Sequence, residues 1–343
     1  MKIVFDPIES DSNQYPQMIV SGLKKQGLEV YSLNEMLTDL KKFSAVKVVH
    51  LNWFESIKTS LDFYKKIVKL LCLILAGKKI VWTMHNRTPH IKKVFLLQKI
   101  LLRLLKVRSK AIVIHSTATK ELLYTESPRF AEKTVYIPHP NYIGVYGTKK
   151  ISQDFSREPL QLVFIGAIKP YKNIELLIDV VQEFDEDEVS LTIAGKCYTS
   201  AYEETLLRRI NKQNILTNFQ FLDDDQLIDT IKAHELVILP YDLTSSLNSG
   251  TVILAFSYSR SVICPQIGTV LDVKGQKHLL SYTYTNHDEH KQVLKDSIER
   301  AVNLKRESPH IFDYWGKAMK QEMQTFNDPE DISKMFVALY SEL

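Results

Sequence analysis

The chain has 343 residues, 45% hydrophobic and 24% charged, which is the composition of a folded globular protein and excludes a disordered or membrane-embedded one; its length favours two domains of roughly 150 residues each. The net charge is only +4, yet between residues 63 and 120 there is no Asp or Glu while Lys and Arg number fourteen, so the first half has the charge of a surface facing an anionic partner, membrane or nucleic acid. The three cysteines, Cys72, Cys197 and Cys264, are far apart and lack metal-ligand spacing, as expected in a reducing compartment.

The opening MKIVFDPIES lacks the apolar core and cleavage site of a signal peptide, and the expected location is cytoplasmic. KIVF predicts a first strand; a polar loop with Asn13 and Tyr15 follows, then a helix, MIVSGLKKQG, closed by Gly27. Further strand-like runs stand at 46–51 (VKVVHL), 79–83 (KIVWT), 111–114 (AIVI) and 134–137 (TVYI), with helical patterns between most of them. The stretch 144–159, GVYGTKKISQDFSREP, breaks this rhythm with Gly, charge and Pro and predicts a linker. The rhythm then restarts with LQLVFIG, IELLIDVVQEF, VSLTIAG, EETLLRRINKQ, FQFL, QLIDTIKAH, LVILPY, TVILAFSYS and SVIC. Strands alternating with helices require crossovers, so the fold class is α/β with two parallel-sheet domains, expected at 1–150 and 151–315, and a helical tail at 316–343.

Ligands of open parallel sheets bind beyond the carboxyl ends of the strands, so the polar residues that follow each strand are the candidates. After LQLVFI the chain passes through Gly166, Lys169, Pro170, Tyr171 and Lys172 into a helix. Free N–H groups at a helix start, next to two lysines, suit a phosphate or diphosphate; a solvated turn with two ordinary lysines is the plainer alternative. After LVILPY come Ser245, Ser246, Asn248, Ser249 and Gly250 before another apolar helix. Asn248 or Ser249 can cap it, and Gly250 lets a phosphate approach the backbone.

GAIKPYK and NSGTVILAFSYSRSVI, in this order and spacing, resemble the nucleotide-binding domain of GT-B-fold glycosyltransferases, particularly the retaining family 4. The resemblance implies two Rossmann-like domains facing a cleft, with a C-terminal helix crossing back to the first. It implies that Lys169 and Lys172 neutralise the donor diphosphate while backbone N–H groups near Asn248, Ser249 and Gly250 cradle its far end. Many members carry two glutamates around the second loop; the matching positions here are Ser246 and Leu254, so sugar and ribose contacts fall to Ser245, Ser246, Asn248 or backbone. In VWTMHNRTPH the T-x-H-N string resembles these enzymes too, where the histidine, here His85, faces the transferred sugar. Asn13, Tyr15, Asn86, Arg87, His115 and His139 are the remaining cleft or acceptor candidates, with ordinary structural use as the alternative.

On a helix advancing about 100° per residue, Lys92, Lys99, Arg103, Lys106 and Lys110 fall within roughly 40° of one direction. This basic stripe at 92–110, backed by Leu and Ile, is expected either to touch anionic lipid headgroups or to be the solvated face of a core helix. Phe95 is its only aromatic, which argues against nucleic acid as a partner. The expected activity is that of a hexosyltransferase moving sugar from a UDP- or GDP-linked donor to a glycan or lipid-linked acceptor, such as a polysaccharide precursor. Neither a cofactor nor a metal is expected, since the acids at 223–225 read as a helix start, and the family implies retention of configuration. A catalytically silent nucleotide-sugar binder and a GT-B epimerase are the alternatives.

Overall fold

A computed structural model describes residues 1–10, 13–85, 95–147, 154–156 and 158–343. The chain divides into two compact units, one formed by Met1–Pro140 with Asn327–Leu343 and the other by Asn141–Phe326. Each is built on a six-stranded, all-parallel sheet.

In the first unit the strands are β1 (Lys2–Asp6), β2 (Glu29–Tyr31), β3 (Val48–Asn52), β4 (Lys79–Thr83), β5 (Ala111–Ile114) and β6 (Thr134–Tyr136), in the order β2-β1-β3-β4-β5-β6. β3, β4 and β5 are buried almost throughout, which is why they read as unbroken apolar runs rather than alternating ones. β2 is a three-residue edge strand, EVY, without a fully buried position, and no apolar run marks it in the sequence. On one face of the sheet the helix Tyr15–Lys25 and the last helix, Pro329–Glu342, close the core. Ile19, Leu23, Ile332, Phe336 and Tyr340 pack there with Ile3 and Phe5. A Cβ on Gly22 would sit 1.9 Å from Ser333 Oγ, so a glycine is what lets these two helices approach.

The tail is thus split between the units. The helix Ile311–Phe326 belongs to the second and buries Phe312, Trp315 and Met319. Asp328 then caps Pro329–Glu342, accepting from the Glu330 and Asp331 N–H groups, and that helix belongs to the first unit.

In the second unit the strands are β7 (Leu160–Ile165), β8 (Val189–Ala194), β9 (Ile215–Asn218), β10 (Leu236–Ile238), β11 (Ser261–Pro265) and β12 (Leu280–Tyr282), in the order β12-β11-β10-β7-β8-β9. β9 lies just before the FQFL run, whose Phe221 is exposed. β12 at the opposite edge carries no sequence signal. Both sheets have a topological switch point, where the chain leaves one side of a strand and resumes on the other: between β1 and β3 in the first unit, and between β7 and β10 in the second. Among the described residues no helix is long and apolar enough to cross a membrane.

Candidate functional site

Two polar clusters stand at the carboxyl ends of the strands, one per unit, and each flanks its sheet's switch point, where open α/β sheets form a binding crevice.

In the second unit β7 runs into Gly166 and β8 into Gly195, both with positive φ, +117° and +138°. A Cβ on Gly195 would lie 2.1 Å from the Gly166 carbonyl oxygen, so the two strand ends meet backbone to backbone. After Gly166 the chain makes one bridge to β8's loop, Ile168 to Cys197, and then a single 3₁₀ turn, Pro170–Lys172. Asn173 follows in the left-handed region (φ 54°) and donates from its carboxamide to the Pro240 carbonyl at 3.0 Å. This bond ties the lysine turn to the end of β10, across the switch point. Asn173 also separates Lys172 from the helix Ile174–Val181, so the two lysines lie one short turn ahead of the helix start.

Lys172 bends back over Gly166. Its Nζ is 3.6 Å from where a Gly166 Cβ would be, and Thr251 Oγ1 lies 3.7 Å from the same point. The ammonium sits over the faces of Tyr241 and Phe164, 5.2 and 5.6 Å from their centroids, a cation–π setting that supplies partial negative charge without an anion. Burial pushes the Tyr241 hydroxyl up to about 12, so it is no counter-ion. Burial also pulls the Lys172 ammonium below its ordinary value; Lys169 is lowered as well, first by burial and then by Lys172. Among the described residues neither lysine forms an ion pair with a carboxylate. Two partly desolvated cations without counter-charge favour a bound anion.

The loop after β10 closes the other side. Tyr284 braces it by donating to the Tyr241 carbonyl at 2.9 Å and accepting from the Leu243 N–H at 3.0 Å. Ser249 caps the helix Gly250–Ser257, its Oγ accepting from Val252 N–H at 3.2 Å while its own N–H donates to Thr269 Oγ1 at 2.9 Å. With capping done by Ser249, Asn248 is left over: both carboxamide atoms are buried and without a partner. A buried amide with nothing to bond costs about 1–3 kcal/mol, which a ligand at this helix start would relieve. Ser246 and Gly250 are partly buried in the same loop. The structure therefore brings Gly166, Lys169, Lys172, Asn248, Ser249 and Gly250 to one switch point. It adds Thr251, Tyr241 and Asn173, which carry no signal in the sequence because they act through placement.

In the first unit the cluster centres on Tyr15, fully buried at the start of its helix, with its N–H donating to Asn13 Oδ1 at 2.9 Å. Around the Tyr15 ring stand Trp53, His85, His115 and His139, with centroids 5.7, 5.3, 5.4 and 5.1 Å away. His85 stacks on Trp53 at 4.0 Å and 13°, and its Nε2 is 3.1 Å from Asn52 Oδ1. Trp53 holds this position with a left-handed backbone, φ 49°, a strained conformation for a bulky residue. His115 donates from Nδ1 to the Ile137 carbonyl at 2.7 Å, and its buried Nε2 has no partner; Asn52 Nδ2 is likewise buried and unpartnered. Burial pulls all three histidines down, His115 to about 4, His139 to about 3 and His85 well below its ordinary value. They are neutral at pH 7, and the unpartnered atoms suit hydroxyl groups rather than charge. Asn86, Arg87, His90 and Lys92 lie outside the described residues. Among the described residues no group of three or more His, Cys, Asp or Glu is placed to hold a metal ion.

Of the basic stripe expected at 92–110, Lys99, Arg103 and Lys110 are exposed, whereas Lys106 is buried and paired with Glu126 at 2.5 Å. Lys110 follows the end of the helix Phe95–Arg108.

Residues 147–254, which include both loops of the second unit's site, match the family described as glycosyl transferases group 1. That stretch, about a third of the chain, is similar to the group 1 glycosyl transferases. The GDP-mannose:glycolipid 4-beta-D-mannosyltransferase of Xanthomonas campestris pv. campestris is 28% identical to it over 244 residues, covering 68% of this chain and 64% of that enzyme's length. Among solved structures, Anabaena Alr3699/HepE in complex with UDP and glucose superposes with a TM-score of 0.72 at 14% identity, covering all of both chains. WaaG, a glycosyltransferase involved in lipopolysaccharide biosynthesis, superposes with 0.65 at 11% identity over 97% of this chain and 98% of its own. With its two six-stranded parallel sheets, the chain has the GT-B fold of these neighbours.

Proposed function

We propose that the chain transfers a hexosyl group from a UDP- or GDP-linked sugar to a hydroxyl of a glycan or lipid-linked acceptor, in the assembly of a cell-surface polysaccharide, at the cytoplasmic face of the membrane. The observation that carries this reading is the pair of uncompensated lysines in the turn after Gly166, with Lys172 Nζ and Thr251 Oγ1 of the Gly250–Ser257 helix near the same point above Gly166, and the unpartnered Asn248 in the loop before that helix. When the bond between the anomeric carbon and the diphosphate breaks, negative charge grows on the departing phosphate oxygen. In this reading Lys169, Lys172 and the free N–H groups of the helix start stabilise that charge, and fixed donors aimed at developing charge usually supply most of the barrier lowering in such reactions. The group 1 family match and the relative named as a GDP-mannose:glycolipid mannosyltransferase support both the donor class and the acceptor class. The neighbour holding UDP and glucose supports the donor class.

In the first unit, neutral His85, His115 and Asn52 offer hydrogen bonds to sugar or acceptor hydroxyls. His85, stacked on Trp53 and held by Asn52, is the one we assign to the transferred group. Retention of configuration, with no metal taking part, follows from the family resemblance rather than from geometry.

The test is a thermal-shift screen of UDP-, GDP- and ADP-linked sugars on the wild-type protein and on Lys172→Ala. A charge-assisted contact is worth about 1.5–3 kcal/mol, so Lys172→Ala should weaken the preferred nucleotide by about 10- to 150-fold. If no nucleotide stabilises the wild type, or the variant responds equally, the assignment is wrong.

A further inference from the structure

The helix Ser60–Leu75 is sixteen residues long, and its core side needs little of it: Phe63, Leu70 and Leu73 are its fully buried positions. Its outer side is apolar. Leu61, Tyr64, Val68, Leu71 and Leu75 are all exposed, Val68 by 66% and Leu75 by 87%. Their spacing of 3, 4, 3 and 4 residues puts them on one seam, within about 40° of a common direction. A seam of this kind normally belongs against a partner; solvent-facing apolar residues are ordinary when scattered and informative when aligned.

The neighbouring helix, Phe95–Arg108, packs against this one and repeats the feature. It exposes Leu96, Ile100 and Val107, interleaved with exposed Lys99 and Arg103. On the first helix Lys65 is exposed beside the seam. Acidic groups are missing from both helices except Asp62 at the capped first turn, and the whole stretch from residue 63 to 120 has none.

That charge pattern selects the occupant. A second copy of the chain would bring Lys65, Lys99 and Arg103 near their own images, and like charges across an interface oppose association. A partner helix with an apolar face would satisfy the seam and leave the cations unused. An anionic bilayer uses both, since apolar side chains enter the headgroup boundary while lysine and arginine stay at the phosphates. We infer that the two helices Ser60–Leu75 and Phe95–Arg108 form the face by which this protein lies on an anionic membrane. The seam of the first helix is the inserting edge, and Lys65, Lys99 and Arg103 are the headgroup contacts. Lys99 and Arg103 of the stripe expected from the helical wheel remain in this face, Lys106 drops out of it, and most of the insertion comes from a helix that the wheel did not consider.

This inference deepens the proposal of a lipid-linked acceptor but is tested without turnover. The full-length protein is co-sedimented at low salt with phosphatidylcholine vesicles, with or without about one third phosphatidylglycerol. Wild type should bind the anionic vesicles and not the neutral ones. Val68→Glu/Leu71→Glu should abolish binding. Lys65→Glu/Lys99→Glu/Arg103→Glu should weaken it by more than about a hundredfold, at about fivefold for each lost cation. Leu207→Glu, an exposed apolar position of the second unit, should bind as wild type does. All variants keep their circular dichroism spectrum and their nucleotide thermal shift, so that failure of the docking face and failure of the donor site are told apart. Absence of binding by wild type, or undiminished binding by the Val68/Leu71 variant, overturns the inference. So does a wild-type dimer in light scattering that the same variant converts to a monomer, because the seam's occupant is then a second copy.

Discussion

Gly195→Ala tests the backbone approach on which the donor-side geometry depends. At Gly195 φ is +138°, and an added Cβ would meet the Gly166 carbonyl oxygen at 2.1 Å and its carbon at 2.8 Å. Both are backbone atoms, so no side chain can rotate away. The cost has two parts. An L-residue at positive φ loses about 1–2 kcal/mol. Forcing the ends of β7 and β8 apart adds an overpacking cost of about 1–3 kcal/mol. Gly27→Ala is the matched control, because Gly27 also has a positive φ, +81°, and nothing lies within 4 Å of its Cβ position; it should show the first part alone.

Calorimetry is the assay. For a unit of this size about 1 kcal/mol shifts the transition by about 2–4 °C, so Gly195→Ala should melt about 4–20 °C lower and Gly27→Ala, with the first part alone, about 2–8 °C lower. The same displacement moves Gly166 and the lysine turn that starts there, so the Gly195 variant should also lose nucleotide affinity while the Gly27 variant keeps it. Equal costs for the two variants would refute the close meeting of the strand ends, and with it the placement of Lys172 above Gly166.

The buried pair Lys305–Glu235, at 2.5 Å with both side chains almost wholly covered, makes Lys305→Met destabilising by about 3–5 kcal/mol at neutral pH. Burial already holds the Glu235 carboxyl above its ordinary value. Without its cation the folded state binds a proton more tightly than the unfolded one, so the penalty should shrink as pH falls from 8 to 5; a penalty independent of pH counts against this account. His50, whose ring lies between Tyr340 OH at 2.5 Å and Thr83 Oγ1 at 2.6 Å, is pulled down to about 3 by burial and then by His115. Its folded value is below its unfolded one, so the stability tied to its neutral form is complete above about pH 6.5 and is lost as pH falls toward 3. His50→Phe should flatten the acid limb of the stability curve by about 1.4 kcal/mol per pH unit, and an unchanged slope refutes it. Because Lys172 is depressed by burial, an anion that restores its charge should draw in protons at alkaline pH. Calorimetric titration of the preferred nucleotide in buffers of different ionisation heat should reveal that uptake, and Lys172→Ala should diminish it.

How much of this was legible in the sequence depended on whether a feature is local. The buried strands of both sheets announce themselves as apolar runs, and the lysine turn and the NSG loop each follow one of them. Their meeting was legible only by resemblance. What joins them is the order β10-β7, which puts two loops some seventy residues apart on either side of one switch point, and the bond from Asn173 to Pro240. The candidate caps could not be ranked from the sequence either: Ser249 caps, which leaves Asn248 free. His85 was legible from its string, but Trp53 and Asn52 were not, because stacking and a hydrogen bond from an adjacent strand leave no pattern in the chain.

The basic stripe lost Lys106, while Lys99, Arg103 and Lys110 stay exposed, for a reason that generalises. A helical wheel counts charges on one helix and assumes that each faces water, but a lysine's role depends on what the rest of the fold brings to it. Glu126, from the following helix, reaches Lys106 and takes it out of the row. Exposed apolar residues are the firmer sign, because the core removes from view every leucine that it can use. On Ser60–Leu75 it leaves five apolar side chains in line, three of them leucines, beside a chain segment with no acid to offer. The two lysines of the donor-side turn differ from Lys106 in the opposite sense: the fold partly buries them and brings no carboxylate to meet them among the described residues. A cation that the protein neutralises itself is structural, whereas one that it desolvates and leaves uncompensated keeps its free energy for a ligand.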